Sequence, residues 1–291
     1  SIAAADLAVL DELVVEALRR RDTSALNVLG FGEVSVALGW PIAGPHVVCK
    51  RAAPLSEPQF DQYEQLVTGY IDELRRRGLA VIDTEIASVR RDDKVTAYLV
   101  QPLLPASSLG HSVLAAADPD PDHPFLVALA DALGVVSNEL SIDAQVTNFS
   151  WDGSALTLID VGTPFRWDHA GTFLFEMEPY RQMIPAPLRA QVIRDLTELV
   201  GRWREPRRVA VDVVANLYRE HLTEWVEPTL AALNRGLDVD EPIRAEEARR
   251  FYEDDLKTWP RLTRLQRLQR RWQTSVRRRP YEYCIHTTFD A

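Results

Sequence analysis

The sequence predicts an α+β protein, with a strand-rich N-terminal third followed by a mainly helical remainder. Two observations carry this expectation. Between Leu26 and Gln101, apolar residues recur at every second position in several short runs, broken by one stretch of three- and four-residue spacing. Beyond Pro105 the helical spacing dominates, and a single hairpin interrupts it, its turn marked by Asp152-Gly153.

Taken in order, residues 1–22 read as an amphipathic helix. Asp6, Asp11, Glu12 and Glu16 interrupt its apolar run, which argues against reading it as a signal peptide. The first residue is Ser1 rather than methionine, as expected of a trimmed start. The segment 24–38 follows as strand, glycine turn and strand, with Leu26, Val28, Val34, Val36 and Leu38 keeping period two. After a loop with Pro41, Gly44 and Pro45, residues 46–52 form a third strand. Residues 57–77 are helical through Phe60, Tyr63, Val67, Tyr70 and Leu74, and Gly78 stands where a C-terminal cap belongs.

Two more strands, 81–89 and 95–101, flank the polar turn 90–94. The pattern is β-β-β-α-β-β: a five-stranded sheet with one helix. The chain then divides into an N-terminal helix (1–22), a sheet lobe (23–104) and a helical lobe (105–291). The hairpin occupies 148–160, and the acidic, proline-rich stretch 118–122 reads as a solvated connection.

Composition narrows the function. With 291 residues, 46% of them hydrophobic, the chain can bury a full core. No apolar run reaches the length of a membrane-spanning helix. Two cysteines and six histidines without ligand spacing give neither a disulfide framework nor a zinc site, so a cytoplasmic location is expected. A net charge of −10 opposes nucleic-acid binding by the whole surface. Residues 257–279 nevertheless carry nine basic and no acidic side chains. There Leu262, Leu265, Leu268 and Trp272 form an apolar stripe, with Arg261, Arg264, Arg267, Arg270 and Arg271 around it. Docking on the acidic body of the same chain is the expected role, with an acidic partner, a membrane surface or nucleic acid as alternatives.

Residues able to carry chemistry fall in one order. Gly30 and Gly32 lie between the first two strands, where backbone N–H groups can approach phosphate oxygens without a Cβ in the way. Lys50 ends the third strand and can place a point charge on phosphates. Its orienting carboxylate is expected on the following helix at Glu64, with Glu73 as second choice. The linker 98–105 offers the Pro102 carbonyl and the Leu104 N–H to an adenine edge. Asp143 and Asn148 precede the hairpin, and Asp160-Val161-Gly162 ends it, so Asn148 and Asp160 can converge on one Mg²⁺ while Asp143 reaches a substrate hydroxyl. Singly, each feature fits a commoner role as turn, cap or surface residue. Their joint order is the signal.

That order resembles the protein-kinase-like superfamily, and the helical half is closer to its aminoglycoside and choline phosphotransferase branch. The resemblance covers roughly residues 26–165 and implies a bilobal fold binding ATP and Mg²⁺. It assigns phosphate binding to Lys50, the catalytic base to Asp143, and metal ligation to Asn148 and Asp160. Three departures stand out. Ser141 occupies a position often held by histidine, Ser35 replaces a third glycine, and no Ala-Pro-Glu segment follows Asp160.

The implied function is ATP-dependent phosphoryl transfer to a hydroxyl of a small molecule. The alternatives are a kinase-shaped binding module without turnover, motivated by Ser141 and the short glycine loop, or nucleotidyl transfer on the same scaffold. Arg166, just after the metal loop, is expected at the surface rather than on an anionic substrate. Nothing after Phe165 specifies the acceptor.

Overall fold

The computed structural model describes residues 1–32, 35–237, 241–279 and 281–282. Of the residues named above, Val34 and the side chain of Arg261 lie outside this description, as does the second of the two cysteines, Cys284.

The N-terminal helix α1 spans Ala4–Arg20, and the first three strands are β1 (Val28–Phe31), β2 (Val36–Trp40) and β3 (Val47–Arg51). Helix α2 (Glu57–Arg76) opens with a capping box between Ser56 and Gln59. It ends as expected at Gly78, whose φ of +89° admits the left-handed turn. After the short strand β4 (Ala80–Val81) come β5 (Glu85–Arg91) and β6 (Lys94–Pro102). Five of these strands form one antiparallel sheet in the order β1-β2-β3-β6-β5.

The sheet is covered on both faces rather than by one helix. Along β6, Val95, Ala97 and Leu99 join the core beneath α2, whereas Tyr98 and Val100 pack with Leu7, Leu10, Val14 and Leu18 of α1. A strand buried on both sides carries a near-continuous apolar run, as residues 95–100 do.

The expected strand 81–89 is divided. Ala80 and Val81 leave the main sheet and pair in parallel with Thr157 and Leu158. The break falls at Thr84, whose hydroxyl donates to Ile82 O (3.1 Å) and accepts from Gln101 Nε2 (3.0 Å). One covalent run therefore feeds both sheets, and this couples the strand-rich half to the helical half.

The helical half contains α3 (Gly110–Ala115), α4 (Pro124–Ala132), the hairpin β7 (Phe149–Trp151) and β8 (Leu156–Leu158), α5 (Glu178–Gln182), α6 (Arg189–Gly201), α7 (Pro206–Arg219), α8 (Val226–Gly236) and α9 (Ala245–Arg271). Every residue of α7 from Val209 to Leu217 is buried, so this helix is the axis of the half. At Gly110 a Cβ would stand 2.3 Å from Val146 O and 2.6 Å from the Phe125 ring. Only glycine lets α3 start this close to the 3-10 turn Val146–Asn148. Among the described residues, no helix is long and apolar enough to cross a membrane.

The stripe expected to seat α9 is only partly turned inward. Leu262 and Leu265 are half-buried, but Leu268 and Trp272 face solvent, and Gln266, Gln269 and Arg270 take the buried positions.

A buried ionic cluster fixes α1 to the sheet. Asp11, only 1% exposed, accepts hydrogen bonds from Tyr98 Oη (2.7 Å), Arg91 Nη2 (2.8 Å) and Arg51 Nε (3.2 Å). Arg51 is wholly buried and also donates to Glu282 (3.1 Å), so the C-terminal segment meets the same cluster. Removing one member leaves unpaired buried charge, which costs about 3–5 kcal/mol. Asp11→Ala is therefore expected to lower unfolding stability by roughly that amount in urea titrations. A loss below about 1 kcal/mol would mean that the arginines find other partners.

Candidate functional site

A cavity of about 500 Å³ lies between the α2 side of the sheet and the helical half. Its roof is formed by Phe31, Gly32 and Ser35, and Lys50, Asp143, Asn148 and Asp160 also line it. Four separate segments thus deliver polar groups to one space.

Lys50 projects from β3 and donates to Ile159 O at 2.8 Å, with Asp160 Oδ1 at 3.4 Å. Burial acts to raise the Asp160 carboxyl, but Lys50 and the N–H of Gly162 (3.1 Å from Oδ1) outweigh it and hold the group below its usual range. Asp160 Oδ2 has no hydrogen-bond donor among the described residues. Asn148 stands beside it because the hairpin stem continues one step past its strands, Ile159 N donating to Asn148 O at 2.8 Å. The Asn148 amide donates to the backbone carbonyl of Asp143 at 3.2 Å, which ties the two loops together.

Asp143 occupies the inner wall. Its Oδ1 is buried without a partner among the described residues, and Gln145 Nε2 donates to Oδ2 at 3.4 Å. Burial, reinforced by the negative charge of Asp160, pushes its carboxyl up to about 6. Two neighbouring carboxyls are thereby driven apart, one held ionised by a lysine and the other poised near neutrality.

The expected Glu64–Lys50 pair does not form. Glu64 is exposed, one residue beyond the inward-facing Tyr63, and the helical turn of about 100° per residue carries it away from the cavity. Glu73 is engaged with Arg76 and Arg77 instead. In place of a carboxylate, α2 presents two tyrosines. Tyr63 Oη donates to Gly162 O (3.0 Å) and Tyr70 Oη to Ser141 O (2.8 Å). Seven residues apart, they lie on one helix face and fasten the loops carrying Asp160 and Asp143.

Other expectations fare differently. Gly32 reaches the roof, but its N–H is committed to Ser35 O at 2.9 Å, and Gly30 does not line the cavity. Pro102 and Leu104 do not line it either. Pairing of β6 with β3 continues to Val47–Pro102, and Leu103 N then donates to His46 O at 3.0 Å, which holds the linker along the sheet end. Pro102 borders a separate shallow depression with His46 and Glu85. Arg166 is half-buried against Gly69 of α2, outside the cavity.

Apart from Phe165, which the sequence places just after the metal loop at the substrate opening, the remaining wall comes from residues the sequence did not single out. Phe165, Phe173, Phe175 and Trp203 form an aromatic row, with the Phe165 and Trp203 ring centroids 4.9 Å apart. Asp212 of α7 also faces the space, and burial, with Asp143 and Asp255 nearby, pushes its carboxyl well up. An aspartate inside the apolar run 209–217, and tyrosines inside the apolar stripe of α2, were the available signals.

The site thus belongs to an α+β protein with a five-stranded antiparallel sheet and a helical half, whose cavity collects a lysine, an amide and several carboxyls. Over residues 9–270 the chain matches a family described as "Family of unknown function (DUF6206)", and it belongs to that family. Comparison with curated proteins returned no match.

The raised carboxyl of Asp143 makes a signed prediction. Such a group favours the folded state while protonated, and its contribution is lost as pH rises from the unfolded value near 4 through about 6. Asp143→Asn removes the ionisable group. It should therefore stabilise the protein at pH 7.5, by about 1–3 kcal/mol, and have little effect below about pH 4. Thermal melts across this range check it, and a destabilised variant at pH 7.5 would contradict it.

Proposed function

We propose that the chain is a bilobal, protein-kinase-like phosphotransferase that moves a phosphoryl group from ATP to a hydroxyl of a small molecule. The observation that carries this reading is the convergence of Lys50, Asp143, Asn148 and Asp160 on one cavity in the order the resemblance implies.

The residues fit magnesium nucleotide. Asp160 Oδ2 and Asn148 Oδ1 have no protein donor among the described residues, and both residues line the cavity with Lys50. No group of three or more histidine, cysteine or acidic side chains fit for a metal occurs among the described residues. Two protein oxygens still suit Mg²⁺, which keeps several waters and takes further ligands from phosphates. Bound Mg-ATP supplies the phosphoryl group and the charge that neutralises its oxygens.

The chain's own residues do the rest. Lys50 holds negative charge and keeps Asp160 ionised. Asp143, with a carboxyl near 6, accepts the proton of the acceptor hydroxyl at neutral pH and returns it to solvent. The aromatic row shields that transfer from bulk water. Tyr63 and Tyr70 keep both loops in place.

A kinase-shaped binding module without turnover is the second reading. It is favoured by the engaged N–H of Gly32 and by the absence of an α2 carboxylate at Lys50. Nucleotidyl transfer on this scaffold is separated from both by product mass, since the acceptor would gain adenylate instead of phosphate.

The experiment divides binding from chemistry. Mg-ATP should raise the melting temperature of the wild type by mass action. Asp143→Asn should leave nucleotide affinity within a few-fold while lowering turnover, followed first as slow ATP hydrolysis, by roughly a hundredfold. Asp160→Asn should weaken both. Nucleotide binding with no turnover in any variant would select the binding module, and no binding at millimolar nucleotide would reject both.

A further inference from the structure

The end of α9 is turned inside out relative to an ordinary surface helix. Its buried positions are polar: Gln266 meets Met183 Sδ at 3.9 Å, and Gln269 donates to Gln182 O at 3.3 Å. Its outward positions are apolar, with Leu268 58%, Trp272 41% and Val276 68% exposed. These three recur at four-residue steps. In an α-helix four residues overshoot a full turn, so such a row drifts around the axis. Here the chain passes into a π turn over Trp272–Val276, where four residues fall short of a full turn. The drift is reversed, and Val276 returns to line with Leu268.

Charge surrounds this row. Arg264, Arg271, Arg277, Arg278 and Arg279 are exposed, and none forms an ion pair among the described residues. The Arg277 guanidinium lies 4.1 Å from the centre of the Trp272 ring, placing cation and indole in one patch. The basic segment expected to dock on the acidic body of its own chain thus keeps these arginines at the surface. The chain's net charge is −10, but at physiological salt a charge acts over about 8–10 Å, so the local patch governs contact.

We propose that this face of α9 is a docking surface for an anionic phospholipid bilayer. Leu268, Trp272 and Val276 enter the boundary between headgroups and acyl chains, and the flanking arginines meet lipid phosphates and carboxylates. An aliphatic and indole row at the centre, with cations at its margins, is the pattern of a helix lying in a membrane interface. A nucleic-acid surface would set the cations at the centre and leave the aliphatic row against water. The inference is independent of the reaction in the cavity.

Co-sedimentation of the full chain with phosphatidylcholine vesicles, with and without phosphatidylserine, tests it. Binding should require phosphatidylserine and weaken at high salt. Arg264→Glu with Arg271→Glu, and separately Leu268→Ser with Trp272→Ser, should each reduce it by roughly tenfold or more. These positions are exposed, so circular dichroism and melting should be unchanged. Absence of binding to anionic vesicles by the folded protein overturns the proposal. So does undiminished binding by the Leu268→Ser, Trp272→Ser variant, which would place the contact elsewhere. A dimer that these substitutions dissolve, or retention on duplex DNA, without vesicle binding would also overturn it in favour of that partner.

Discussion

Two phenolic hydroxyls on one face of α2 set the geometry on which the cavity depends. Tyr63 holds the carbonyl of Gly162 and Tyr70 that of Ser141, so the loops bearing Asp160 and Asp143 are registered against one rigid helix. Both tyrosines lie deep in the core shared by the sheet and the helical half, and burial raises the pKa of both phenols. They stay neutral and serve as donors. The lysine that a helix carboxylate was expected to orient is held from the other side, by the Ile159 carbonyl and Asp160. The helix therefore acts on the loops directly and on Lys50 only through them.

From this registration follows the division of labour between the carboxyls. Asp160 lies beside a lysine and a backbone N–H, and remains ionised in spite of burial. Asp143 forms no ion pair among the described residues and has one oxygen without a donor, so the same burial moves it the other way. The charge of Asp160 then adds to that displacement, and each group helps define the other. Asp212 extends the acidic wall toward α7, where its shift has the same origin.

Periodicity made most elements legible. The alternation through β1 and β2, the apolar runs of β3 and β6, the stripe of α2, the cap at Gly78 and the Asp152-Gly153 turn all state their structure locally. What was hidden depended on partners distant in sequence. Nothing local shows that Ala80 and Val81 belong with Leu156–Leu158, or that α1 covers the second face of the sheet. The helix spacing put Glu64 plausibly near Lys50, yet the apolar positions Phe60, Val67, Tyr70 and Leu74 already fixed which face turned inward, and Tyr63 shares it. In α9 the apolar stripe misled, since interior polar partners at Gln182 and Met183 were invisible from sequence.

The central claim is that Lys50, Asn148 and Asp160 receive the phosphates of a magnesium nucleotide. Crystals grown with a non-hydrolysable ATP analogue and Mn²⁺ test it most directly, because manganese is located by its anomalous scattering. The account predicts a manganese peak within ligand distance of Asn148 and Asp160, with the analogue's phosphates at Lys50 Nζ. Fully formed crystals at saturating analogue that show no manganese there, with Lys50 still closed on Asp160, would contradict it.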